Sequence, residues 1–315
     1  MQSKIIKNIA SLKFLLLALI VADCSVSELT KFELGSKSYK VGKFRSAVEH
    51  FTRAIWEDPA NSQLYFLRAN ANTKLGNYEE AIDDYSRAIR LRPEVEYYEN
   101  RGLTYLAIKN YNSAVIDFTK AIEIDSNNSE LHFNRGYTEA LTGDYDSAIK
   151  DYTKAIQLDS SNAKIFVNRG DLWSDVGEQE KAIFDFTVAI SLNPEDELAY
   201  YNRATELTTL GKHKSALEDY SNALKLSPSN INYYFKRAES KVMLNNFLGA
   251  ASDYTNIINL DPNNGNAFYN RGICYANINL KESACEDFNR AGELGFFEAY
   301  EVIKQYCGKE KKKRK

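Results

Sequence analysis

The chain has 315 residues, 40 Lys and Arg against 43 Asp and Glu, and a formal net charge of −3. A balance on the acidic side supplies no cationic field for nucleic acid, so none is expected as a partner. Four cysteines and three histidines without a Cys-x-x-Cys motif or a Cys/His cluster exclude the common structural metal sites, so neither a metal nor another cofactor is expected.

At the N-terminus Lys4, Lys7 and Lys13 precede an uncharged apolar run from Phe14 to Ala22. The run is short for a membrane span of about 20 residues. Residues 1–24 therefore predict a cleaved secretory signal, with small residues for cleavage after Ala22, Cys24 or Ser27. A retained anchor tethering the chain to a membrane is the alternative. A third reading acylates Cys24, although Asp23 stands where a lipoprotein signal requires a small residue.

From residue 28 the chain repeats itself. Ala47, Ala81, Ala114, Ala148, Ala182, Ala216, Ala250 and Ala284 recur at intervals of 34 residues, with one of 33. A period of this size predicts repeated helical hairpins rather than one globular core. Eight repeats follow, at about 28–61, 62–94, 95–128, 129–162, 163–196, 197–230, 231–264 and 265–295. Each has two stretches of helical periodicity around a turn such as Gly143-Asp144-Tyr145. All five prolines (Pro59, Pro93, Pro194, Pro228, Pro262) fall at one phase and separate helices.

With the recurring alanine numbered position 20, position 8 is always Gly or Ala and position 24 always Phe or Tyr. Position 27 is Ala in seven repeats, with Ile257 the exception. Small residues are needed where two helices touch and an aromatic fills the wider gap. These residues resemble the tetratricopeptide repeat (TPR) family. The resemblance implies an all-α, right-handed superhelical solenoid of helix-turn-helix repeats, with the first helix of each pair lining a concave groove. Ala291–Cys307 reads as the end of the last hairpin plus one capping helix at 296–308.

Two ladders run through the repeats. Position 6 holds Asn100, Asn134, Asn168, Asn202 and Asn270, with Lys236 in repeat 7. An amide donates and accepts, so an array of them facing the groove could grip a peptide backbone without reading side chains. The array resembles the asparagine ladder of O-linked N-acetylglucosamine transferases. The competing reading is local hydrogen bonding to neighbouring helices. Aromatics at position 5 (Phe66, Phe133, Tyr201, Phe235, Tyr269) would supply apolar pockets or inter-repeat packing. The second ladder pairs Arg at position 7 with Asp at position 23 throughout repeats 2–8, as in Arg135 with Asp151, Arg169 with Asp185 and Arg203 with Asp219. Repeat 1 lacks both, having Leu34 and His50. Joint presence and absence predict a structural bridge.

A chaperone-tail receptor would need a carboxylate clamp. Asn70 and Asn100 match two of its amides, but Phe66, Glu130 and Asn134 stand at the cation positions, so the clamp is incomplete. In repeat 7 Asn202 and Lys236 match, and Asn232 replaces the second cation. His50, His132 and His213 occupy unrelated phases, and no nucleophile or phosphate-loop motif appears, so no enzyme is expected.

Cys285 and Cys307 lie about equally far from a turn at Gly295, which predicts that they meet; a disulfide and two buried thiols both fit, with Cys274 left unpaired. The tail at 309–315 has six basic residues and one acidic, and is expected to be disordered. Without it and without residues 1–27, which hold three lysines and one aspartate, 31 basic residues face 41 acidic. The sequence thus predicts an exported, non-enzymatic scaffold that binds an extended peptide or a partner helix in its groove. A membrane-anchored or lipidated component of an envelope assembly complex and a co-chaperone-like receptor are the alternatives.

Overall fold

The computed structural model describes residues 29–308, and among these it contains no β-strand. They form two compact bodies that divide after Ser126. The N-terminal body holds three hairpins. Repeat 1 joins α1 (Lys31–Lys40) to α2 (Phe44–Glu57), repeat 2 joins α3 (Ser62–Leu75) to α4 (Tyr78–Leu91), and repeat 3 joins α5 (Val95–Ala107) to α6 (Tyr111–Ile124). The C-terminal body opens with α7 (Ser129–Thr142) and α8 (Tyr145–Leu158) of repeat 4. It continues with α9 (Ala163–Asp175) and α10 (Gln179–Leu192), then α11 (Glu197–Thr209) and α12 (His213–Leu226). Repeats 7 and 8 follow as α13 (Ile231–Met243) with α14 (Phe247–Leu260), and α15 (Gly265–Asn277) with α16 (Lys281–Glu293).

Local sequence sets the helix ends. Asn61, Asn128, Asn162, Asp196, Asn230 and Asn264 each cap a first helix by accepting a backbone N–H with the side chain. Thr30 and Glu33 form a capping box on α1. The turn inside each hairpin needs a left-handed residue at position 15. Gly42, Gly76, Gly143, Gly177 and Gly211 supply it, with φ between 71° and 85°. Lys109, Asn245 and Asn279 adopt the same conformation without being glycine.

Within each body every helix packs on the next, and first helices also touch one another: α1 on α3 and α3 on α5, then α7 on α9, α9 on α11 and α11 on α13. The recurring alanines are sealed completely, as is the aromatic at position 24. The small residue at position 8 sits against that ring. A Cβ on Gly170 would fall 2.7 Å from Phe186 Cε1, and one on Gly35 would fall 2.6 Å from Phe51 Cε1. Four of the five glycines at this position (Gly35, Gly102, Gly170 and Gly272) face a phenylalanine, and the three alanines (Ala69, Ala204, Ala238) face a tyrosine. Gly136 with Tyr152 is the one mixed pair. The tyrosine hydroxyl meets polar groups in two repeats. Tyr85 donates to Asn70 Oδ1 at 2.5 Å, and Tyr220 lies 3.4 Å from Thr208 Oγ1.

The C-terminal segment differs from a single helix. It is one turn of α-helix, α17 (Glu298–Val302), that widens into a π-helical turn over Ile303–Cys307. Its anchor is aromatic: Tyr269 packs against Phe296 in a tilted pair with centroids 4.8 Å apart. Phe66 meets Tyr97, and Tyr201 meets Tyr233, at the same 4.8 Å between successive repeats. Phe296 thus substitutes for the aromatic that a ninth repeat would bring. The expected signal segment at 1–24 and basic tail at 309–315 lie outside the described residues.

Candidate functional site

Arg at position 7 makes the same contacts in every repeat where they are described. Arg169 Nε and Nη2 donate to Asp185 Oδ2 and Oδ1, both at 2.8 Å, and Arg203 does so to Asp219 at 2.7 Å. In repeat 4 Arg135 binds Asp151 through two bonds of 2.5 and 2.8 Å, and His132 Nδ1 lies 3.2 Å from the same carboxylate. The carboxylates are buried and the guanidiniums nearly so. Arg68, Arg135 and Arg271 are held still more firmly in their charged form, chiefly by the hydrogen bond to Asp84, Asp151 and Asp287.

A third partner was missed by reading residues in pairs. Nη1 of the same arginine donates to a hydroxyl at position 25 of the preceding repeat: Arg68 to Thr52, Arg101 to Ser86, Arg169 to Thr153, Arg203 to Thr187, Arg237 to Ser221 and Arg271 to Thr255, at 2.8–3.1 Å. Position 25 is Thr or Ser in repeats 1–7 and Asn289 in repeat 8, which no further arginine follows. The periodic signal was therefore present. Repeat 1 keeps Thr52 although it lacks the Arg and Asp, because its neighbour uses the hydroxyl.

The position-6 ladder is half-buried throughout. Its amides are engaged in different ways. Asn100 Nδ2 donates to Glu96 O at 2.8 Å, and Asn270 Nδ2 to Asn266 O at 2.9 Å and to the Asn266 side chain. Asn202 Nδ2 crosses to Asp171 Oδ1 in the previous repeat at 2.8 Å. Asn168 acts on the Tyr152 hydroxyl, favouring its ionised form against the burial that raises it. Asn134 Nδ2 is buried without a partner among the described residues, and Lys236 Nζ pairs with Glu239 at 3.0 Å. Local bonding thus accounts for several donors, while ladder residues also line cavities. Asn100 does so in the N-terminal body with Tyr39, Lys74 and Leu103, and Asn202 and Asn270 do so in two cavities of the C-terminal body.

The position-5 aromatics are packing elements. Phe66, Phe133, Tyr201, Phe235 and Tyr269 each lie 5.7–5.9 Å from the position-24 ring of their own repeat. Asn70, one of the two amides matching a carboxylate clamp, is occupied by the Tyr85 hydroxyl.

Acidic groups crowd the first helices of the C-terminal body. Burial, with Asp175, Asp196 and Glu206 nearby, pushes Asp171 up to about 6 against the opposing bond from Asn202. Glu139 is pushed to about 7 by burial and by Asp151. Cys285 and Cys307 are joined, their Cα atoms 5.7 Å apart, which ties α16 to the end of the chain. Cys274 is free and buried, and burial raises its thiol to about 11. Among the described residues no group of His, Cys, Asp or Glu could hold a metal, and no helix is long and apolar enough to cross a membrane.

Tetratricopeptide-repeat models match residues 62–94, 129–162 and 198–230, and a second such model matches 95–128. The chain belongs to the tetratricopeptide-repeat family. A 103-residue stretch is 38% identical to RNA polymerase II-associated protein 3 of Xenopus laevis, covering 32% of this chain and 16% of that protein. A stretch of 100 residues is 35% identical to Hsp70-Hsp90 organizing protein 2 of Arabidopsis thaliana, over 31% of this chain and 18% of that protein. The chain thus aligns with less than a fifth of the length of these curated relatives. The C-terminal part of a TPR repeat-containing protein from Cytophaga hutchinsonii superposes with a TM-score of 0.66 at 19% identity, over 76% of this chain and 98% of that one. That likeness shows the fold, an all-α TPR solenoid. TPR proteins act as protein-interaction scaffolds and are typically non-catalytic.

Proposed function

We propose that this TPR protein is a non-enzymatic adaptor that binds an extended peptide or partner helix against its first helices. The observation that carries this reading is that Asn100, Asn202 and Asn270, at one phase of three repeats, each line a cavity. A preformed surface of this kind leaves the ordering cost with the partner, so affinity at each contact is modest and grows with the number engaged. The test is affinity capture from the native source, read by mass spectrometry. Wild type is compared with the triple variant Asn134→Ala, Asn168→Ala, Asn202→Ala, both matched by thermal melting. Partners recovered by wild type and lost by the variant support the ladder as the working surface; identical recoveries assign it to helix packing.

The same reading places the protein in an exported, oxidising compartment, supported by the basic and apolar pattern of residues 1–24 and by the Cys285–Cys307 bond. Mass determination of the N-terminus of native protein tests it. A chain starting after residues 22–27, or acylated at Cys24, supports export; an unmodified chain starting at Met1 in a reducing compartment overturns it.

A further inference from the structure

The C-terminal body contains a cavity of about 450 Å³ formed by three successive repeats. Its apolar wall is Val242 and Met243 of α13 with Ile273 and Cys274 of α15. Met243 is 65% exposed, so its flexible side chain is accessible to a ligand at the mouth of the cavity. Polar groups are few. Glu239 and Asn270 line the cavity, as does His213, whose Nδ1 is buried and unpartnered among the described residues. The Asn270 amide nitrogen is used by Asn266, so its Oδ1 remains to accept a main-chain N–H. A volume above about 300 Å³ with mostly apolar walls and a few convergent polar groups is the make-up of a side-chain-binding pocket.

Charge selects the occupant. Helix α11, which contributes Thr208 to this cavity, contributes Asn202 and Glu206 to a second cavity of about 340 Å³. That second cavity also contains Asp171 and Asp175. Glu239 brings a carboxylate into the apolar cavity itself, where it pairs with Lys236. A partner segment crossing both would meet an apolar pocket next to three carboxylates. Helices pack about 8–10 Å apart, so cavities one or two helices apart are separated by about 10–20 Å. At about 3.3 Å per extended residue that is about three to six residues.

We propose that the Val242–Met243–Ile273 cavity takes one large apolar side chain of an extended polypeptide partner, and that the Asp171–Asp175–Glu206 cavity takes a Lys or Arg about three to six residues away in the same segment. The proposal rests on the adaptor reading above and names the chemistry of its partner. An acidic peptide is disfavoured by the same carboxylates, and a neutral apolar helix would leave them unpaired.

A random peptide library panned on the immobilised full-length chain tests this, with Met243→Ser and Ile273→Trp as pocket variants. Met243 is exposed, so its substitution leaves folding intact, and Trp at 273 fills the cavity. The expected result is enrichment of peptides with Leu, Met, Ile or Phe and a basic residue three to six positions off. Their affinity should fall at least tenfold in both variants. It should fall several-fold in the double variant Asp171→Asn, Asp175→Asn. Enriched peptides that lack this pattern, or that bind the pocket variants unchanged yet are lost on Asn202→Ala, overturn the subsite and leave the adaptor reading standing. No enrichment, or binding indifferent to every one of these substitutions, overturns both.

Discussion

Arg169 Nη1 donates to Thr153 Oγ1 at 3.0 Å, so the guanidinium that closes repeat 5 also holds repeat 4. With Nε and Nη2 committed to Asp185, all three nitrogens of one side chain are used, two within a repeat and one between repeats. A solenoid derives its stability from such nearest-neighbour terms, and this device repeats them at a fixed spacing.

Removing the carboxylate strands a buried cation. Asp185→Ala is expected to destabilise the protein by about 3–5 kcal/mol, because Asp185 is fully buried and Arg169 nearly so. Thr153→Ala takes away only the third bond and should cost about 1 kcal/mol. Urea unfolding of the two variants measures the ratio. Equal costs would mean that the bidentate pair contributes no more than the single inter-repeat bond.

Backbone and ring geometry make opposite predictions at two glycine-type positions. Gly170→Ala drives a methyl to within 2.7 Å of Phe186 and should cost about 1–3 kcal/mol. Lys109→Gly relieves a left-handed residue at φ 61° and should stabilise by about 1 kcal/mol. Chemical denaturation separates a loss from a gain without ambiguity of sign.

Asp171 makes stability fall as pH rises. Its folded value of about 6 lies above the unfolded value of about 4, so the proton is bound more tightly in the folded state. The resulting stabilisation is complete below about pH 4 and lost on passing pH 6. Asp171→Asn should therefore melt higher than wild type at pH 8, by about 1 kcal/mol after allowance for partial solvent screening, and equally at pH 4. Melting curves at the two pH values check it, and a difference that is the same at both would remove Asp171 as the cause.

Reducing the Cys285–Cys307 bond frees the last turn from α16. A bridge closing a loop of this size contributes about 2–4 kcal/mol. Hydrogen exchange on reduction should rise first in α17 and the Ile303–Cys307 turn. Exchange that rises instead in repeat 1 would show that the C-terminal end is not the weak point.

What the sequence determined by itself was everything that repeats at a constant phase. The 34-residue period placed eight hairpins, and the joint absence of Arg and Asp in repeat 1 identified their pairing, because both features depend on contacts inside one repeating unit. The hydroxyl at position 25 was equally periodic, from Thr52 to Thr255, and was legible in principle; it was passed over because its partner lies in the next repeat. Tertiary structure alone decided where each ladder amide goes. Asn202 reaches Asp171 while Asn100 and Asn270 turn back on their own helices, since the residue opposite differs from repeat to repeat. Only the assembled helices, too, could bring Met243 and Ile273 around one cavity, because a void is a property of three helices packed together and of no single stretch of chain.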